Sequence, residues 1–228
     1  MVYGIAKMLN FAHGDIIMVG AYAVISTVSL AQLPGVVGVA VSVVVCVFLG
    51  VTIEFLAYRP LRKAPSLAVL ITAIGVSYLL QSLALLVFKS EPKAFPTIIE
   101  IPSLTFGGVV VDGMTLLTLA VTAVIMISLS LFINKTKLGK AMRAVSEDKD
   151  AAELMGISVN RTITMTFAIG SALAAVASVF YGATYTYIKP TTGSMPGIKA
   201  FTAAVFGGIG SIPGAMLGGI MLGIIEQL

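Results

Sequence analysis

Charge is scarce in this sequence: 11% of its 228 residues are Asp, Glu, Lys or Arg, against 58% hydrophobic residues. With a mean hydropathy of +1.05, that composition excludes an ordinary soluble domain and points to a multi-pass membrane protein. There is no tryptophan, one cysteine and one histidine. Cys46 alone cannot close an intramolecular disulfide, and inside an apolar run it reads as packing. His13 has no cysteine or second histidine to complete a metal site, so it reads as a turn residue rather than a catalyst. No G-x-x-x-x-G-K-[ST] loop occurs, which excludes nucleotide hydrolysis by that route. Paired carboxylates, a Ser-His-Asp set and a metal-ligand cluster are also lacking, so neither an enzyme nor a cofactor is expected. The opening MVYGIAKMLNFAHGD lacks the basic region, compact apolar core and cleavage site of a signal peptide.

What the sequence does contain is a series of long apolar windows. No charge falls between Asp15 and Glu54, and further uncharged windows cover residues 64–88, 113–134, 162–188 and 200–225. Each exceeds the roughly 20 residues a helix needs to cross a bilayer. The first is long enough for two spans, with Gln32, Leu33, Pro34 and Gly35 as the turn. Six apolar helical segments follow, forming an all-α, polytopic transmembrane bundle that makes residues 1–228 a single domain. Its net charge is +4, and the placement of that charge sets the topology. Lys135, Lys137, Lys140, Arg143, Lys149 and Arg161 surround one polar stretch, and Arg59, Arg62 and Lys63 form a second basic cluster. Both are cytoplasmic by the positive-inside rule. Residues 89–112, with Glu91, Glu100 and Asp112, fall outside as a compact connector or short hairpin carrying Gly107-Gly108. The basic excess is thus a topology signal and calls for no nucleic acid.

Residues 138–157, LGKAMRAVSEDKDAAELMGI, are the only long polar interlude. Ser146 is suited to cap a nine-residue helix, with Glu147 and Asp148 in its first turn and Gly156 ending it at Met155. So short a helix needs a surface to pack on. Ala151, Ala152, Leu154 and Met155 form its apolar side, and Lys149, Asp150 and Glu153 a wet flank. Two readings stay open: a helix docking on a partner, or an amphipathic helix lying on its own membrane domain.

Helix breaks are expected near residues 10–15 and 207–214. Asn10, His13 and Gly14 precede Asp15, a natural N-cap for the first full span. Gly207, Gly208, Gly210 and Pro213 interrupt the last window. Either break is a tightly packed bend or part of a substrate path. Downstream, Gly214 with Gly218 and Gly219 with Gly223 repeat at the spacing that brings helices together. Tyr181, Tyr185 and Tyr187 read as an interfacial aromatic belt. Glu54, beside the Arg59 cluster, reads as an interfacial ion pair. Asp15, Glu54 and Glu226 lie at window ends, leaving no ionisable residue deep in the bilayer for proton coupling. Energy for transport is therefore expected to arrive through a contact.

The polar stretch, with Ala151-Ala152-Glu153-Leu154-Met155-Gly156-Ile157, resembles the cytoplasmic coupling loop of ABC importer permeases. LNFAHGDIIMVGAY (residues 9–22), AYRPLRKAP (57–65), LITAIGVSYLLQ (70–81) and KAFTAAVFGGIGSIPGAMLGG (199–219) make the whole chain similar to permeases of branched-chain amino acid importers. That resemblance implies two related permeases in the bacterial inner membrane, two cytoplasmic ATPases that bind the ATP, and a periplasmic binding protein delivering Leu, Ile or Val. It implies a coupling loop over residues 135–161, with Asp150, Ala151, Ala152, Glu153, Leu154 and Gly156 at the ATPase. Asn10, His13, Gly14, Gly207, Gly208, Gly210 and Pro213 are candidates for the translocation path. Against the family pattern, a first span ahead of MVYGI and spans after GIIEQL are missing, so the chain is expected to be a fragment. Related importers carry amides, urea or other amino acids, and a gradient-driven carrier or channel is the competing class.

Overall fold

The structure, a computed structural model, describes residues 2–6, 8, 10–62, 64–98, 101–106 and 109–228. Lys63 of the second basic cluster, and Glu100 and Gly107-Gly108 of the external loop, lie outside the described residues. The described chain is a helical bundle. In chain order its helices are α1 (Val2–Ala6), α2 (His13–Ile25), α3 (Gly35–Ile53), α4 (Ser66–Phe88), α5 (Gly113–Lys135), α6 (Lys137–Glu147), α7 (Lys149–Leu154), α8 (Val159–Tyr185), α9 (Ser194–Phe206) and α10 (Ile212–Gln227). Among the described residues five helices are long and apolar enough to cross a membrane. The first apolar window holds two of them, turning at Gln32, whose φ is +55°, as its sequence indicates. α2 and α3 each end in a widened turn, where Ala31 N–H donates to Ser26 O and Arg59 N–H to Glu54 O, five residues back.

The core is the α2–α3–α8 triplet, and small residues build it. Ser42 Oγ donates to Gly20 O at 3.0 Å, and Cys46 Sγ contacts Ile16 O at 3.5 Å, so α2 and α3 run antiparallel. A Cβ on Gly20 would lie 2.7 Å from Ser178 Oγ and 2.9 Å from Cys46 Sγ, which leaves room for hydrogen alone where the three helices meet. The small-residue helix α8 thus makes the close approach its composition predicts. Gly170 faces His13 as Ser178 faces Gly20, so α2 and α8 run parallel.

The sixth apolar window departs from a single interrupted span. Gly207 packs against Gly214, Gly218 against Ala203, and Lys199 pairs with Glu226, a register that only antiparallel helices give. α9 and α10 are therefore a hairpin, reversed at Gly208 (φ +86°) and Gly210 (φ +95°), where left-handed backbone favours glycine. Gly214 and Gly218 serve as the close-packing pair. Gly219 makes one ordinary contact with Ala203 and Gly223 meets nothing within 4 Å, so among the described residues the second repeat makes no close helix approach.

On the face opposite the basic loops, strands β1 (Lys93–Ala94) and β4 (Tyr187–Ile188) pair antiparallel. β2 (Leu104–Phe106) and β3 (Val109–Val111) form the short hairpin expected of this connector. Tyr185 and Tyr187 are exposed at that end of α8, where an aromatic belt belongs.

Candidate coupling surface and membrane path

The polar interlude folds as two helices rather than one. Asp148, not Ser146, is the cap: its carboxylate accepts from the backbone N–H groups of Asp150 and Ala151 at 2.9 and 3.0 Å. Ser146 instead donates back to Arg143 O within α6. The helix it was expected to start is consequently six residues long, Lys149–Leu154. Gly156, at φ +80°, closes it as a Schellman motif, with Ile157 N–H on Ala152 O and Gly156 N–H on Glu153 O.

The expected apolar side divides. Ala152 is buried against the membrane domain, whereas Leu154 is 90% and Met155 82% exposed. Ala151, Asp150, Glu153 and Gly156 are exposed as well. Lys149 does not join a free wet flank, because its ammonium donates to Ala6 O at 3.0 Å and ties α1 to the loop. A six-residue helix attached by one alanine presents two large apolar side chains among acids.

A buried ion pair braces the membrane beneath this loop. Glu54 is completely buried and pairs with Arg62, while Thr164 Oγ1 donates to its other oxygen at 2.8 Å. Arg62 also reaches Asn160. Arg62 is thus the member of the basic cluster that meets Glu54 as expected, while Arg59 lies over the Phe55 ring. This network joins α3 and α8 at the ends that carry the basic loops.

The expectation that no ionisable residue lies deep in the bilayer is overturned at Asp15. The sequence places it at the start of an apolar window, but α2 itself starts beside Gly170, near the middle of the 27-residue α8. Asp15 sits within the first turn of α2, and Ala12 occupies the cap position. Its carboxylate is fully buried. Ser77 donates to Oδ2, and the Gln81 amide donates to Oδ1 at 3.1 Å and contacts Ser194 Oγ at 3.1 Å. Ser77 is the central residue of the 23-residue α4, about 16 Å from either end at 1.5 Å per residue. Ser77, Gln81 and Ser194 were not singled out in the sequence. An available signal was the Ser77/Gln81 pair, four residues apart on one face of an otherwise apolar helix.

The path candidates fall in two places joined by α9, whose thirteen residues extend about 20 Å. At one end Gly14 touches Gly193 and Gly197, with 2.7 Å between its would-be Cβ and Gly197 Cα. Asn10 accepts from Tyr58 Oη at 2.9 Å, while Asn10 Nδ2 and His13 Nδ1 are buried with no hydrogen-bond partner among the described residues. At the other end Gly210 lies against Gly4, its Cα 2.7 Å from that residue's would-be Cβ. A cavity of about 240 Å³ there is lined by Asn134, Arg143, Ser146, Gly210, Ser211 and Pro213, among others.

Residues 1–228 match the family described as the branched-chain amino acid transport system permease component. The chain is 46% identical over 239 residues to the high-affinity branched-chain amino acid transport system permease protein BraD of Pseudomonas aeruginosa, covering 99% of this chain and 78% of the relative. It is 41% identical over 247 residues to the corresponding Escherichia coli permease LivH, covering all of this chain and 78% of that one. No solved structure matches. A bundle with five candidate spans and a match along its entire length have one reading: the chain belongs to the branched-chain amino acid transport system permease family.

Proposed function

We propose that this chain is a permease subunit of an ATP-driven importer in the bacterial inner membrane, moving Leu, Ile or Val. The observation that carries the mechanism is α7, whose Leu154 and Met155 stand exposed on a cytoplasmic loop. Apolar side chains of that size, ringed by Asp150 and Glu153, are what a docking helix presents to a groove in a partner. The partner is one of two cytoplasmic ATPases, which bind the nucleotide this chain has no loop to hold. A second, related permease completes the channel, and a periplasmic binding protein delivers the substrate. Closure of the ATPases pushes α7. The push passes through Ala152 to the base of α8 and through Lys149 to α1, and so to the helix starts around Asn10, His13 and Gly14 and the hairpin tip around Gly207, Gly208, Gly210 and Pro213.

Reconstitution of the permease pair with its ATPases and binding protein tests this reading. Leucine uptake should require ATP hydrolysis and survive a protonophore. Gly156→Val should abolish uptake, because a β-branched residue resists the left-handed conformation that ends α7. Unaltered uptake in that variant would remove the support for α7 as the lever. Asp15, deep in the membrane, favours a gradient-driven carrier as the second reading. Uptake that continues without ATP and collapses with the proton gradient would establish it. Relatives that carry amides, urea or other amino acids would be separated by competition for the binding protein.

A further inference from the structure

We propose that Asp15, framed by Ser77, Gln81 and Ser194, is the mid-membrane station that receives the ammonium group of the transported amino acid. This rests on the importer reading above and deepens it. The carboxylate is completely buried, and its hydrogen-bond partners Ser77 and Gln81 are both neutral. A carboxylate at this depth without a cation is costly, and intramembrane acids characteristically face a path or a counter-ion. The importer's own cargo supplies the missing charge. An ammonium group offers three N–H donors, enough to displace the Ser77 hydroxyl and the Gln81 amide from the two oxygens.

The surroundings suit the rest of such a molecule. Asp15 lies at the seam of three elements: the start of α2, the start of α9 and the middle of α4. Ile74 and Tyr78 share the face of α4 that carries Ser77 and Gln81, and Ile198 lies one turn from Ser194 on α9. All three are exposed apolar side chains and offer a branched aliphatic chain a surface beside the charged site. α4 is also lightly packed along its length, so the Ser77 and Gln81 hydrogen bonds are a hold on it that a competing donor can release. The apolar groove of about 430 Å³ between α2, α3 and α4, lined by Val19, Leu83 and Phe88 among others, has no charged group to meet an ammonium.

The test uses the complete importer in proteoliposomes with labelled leucine. Asp15→Asn removes the charge at nearly constant shape. Initial uptake should fall by at least about tenfold, the scale of a lost charge-assisted hydrogen bond. Complex assembly and ATP hydrolysis should persist, and Asp15→Glu should retain measurable uptake. Wild-type uptake rates in Asp15→Asn would overturn the proposal. So would failure of both variants to assemble, which makes Asp15 a folding residue. Leucine-dependent acidification of the lumen that Asp15→Asn abolishes would assign the carboxylate to a proton and overturn it too. A wild-type complex with no ATP-driven leucine uptake would defeat the importer reading, and the ammonium assignment with it. An active wild type with an equally active Asp15→Asn defeats the ammonium assignment alone.

Discussion

At the scale of single residues, the two carboxylates buried among the described residues differ in what neutralises them. Glu54 has Arg62 and the Thr164 hydroxyl, and its role is to hold α3 to α8. Among the described residues Asp15 has only uncharged donors. Substituting Glu54 by Ala leaves the Arg62 guanidinium largely buried without its counter-ion, and breaking such a pair from one side costs about 3 kcal/mol or more. Thermal unfolding of the purified protein in detergent should show a clear fall in midpoint for Glu54→Ala. The double change Glu54→Ala/Arg62→Leu should recover part of it, because the stranded charge is then gone. The sequence places Glu54 in an ion pair with the basic cluster of Arg59, Arg62 and Lys63, and Arg62 is the member that makes it. The widened turn at the end of α3 swings Arg59 over Phe55 and leaves Arg62 to reach back.

At the scale of elements, α7 is too short to stand on its own physics. Six residues cannot sustain a helix in water, and this one survives through the Asp148 cap, the Gly156 close and the burial of Ala152. None of those involves Leu154 or Met155. The double substitution Leu154→Asp/Met155→Asp should therefore leave the unfolding midpoint of the permease unchanged. Recovery of the ATPase on affinity-purified permease should fall by about tenfold or more, as loss of central apolar anchors does at an interface. An unchanged yield of ATPase would place the docking surface elsewhere on the loop. The helical ending at Gly156 was legible because glycine is the common residue for a left-handed cap. The start was misplaced because Ser146 and Asp148 are both good caps, and tertiary burial of Met142 and Val145 extends α6 through Ser146.

At the scale of the whole molecule, the arrangement fixes a topology that labelling can check. In a Cys46→Ser background, Leu154→Cys should react with an impermeant maleimide only when the cytoplasmic face is opened. Leu33→Cys, in the exposed turn between α2 and α3, should react in intact cells. The reverse pattern would put the proposed lever on the wrong side of the membrane. The sequence by itself determined the class, five of the membrane-spanning segments and the family, and it set the orientation that labelling is expected to find. Apolar run length, the asymmetry of Lys and Arg and the long motifs are properties of neighbouring residues along the chain, and they need no folding to be read. Depth is not such a property. Whether Asp15 lies at the membrane surface or at its centre depends on where α2 begins relative to α4 and α8. Glycine contacts such as Gly14 against Gly193 and Gly20 against Ser178 decide that, and they join residues more than a hundred positions apart. The same holds for the last apolar window, whose reversal into a hairpin follows from Gly207 meeting Gly214. Close packing of backbones across the bundle, invisible to hydropathy, places the Asp15 carboxylate beside the middle of α4 rather than at the end of a span.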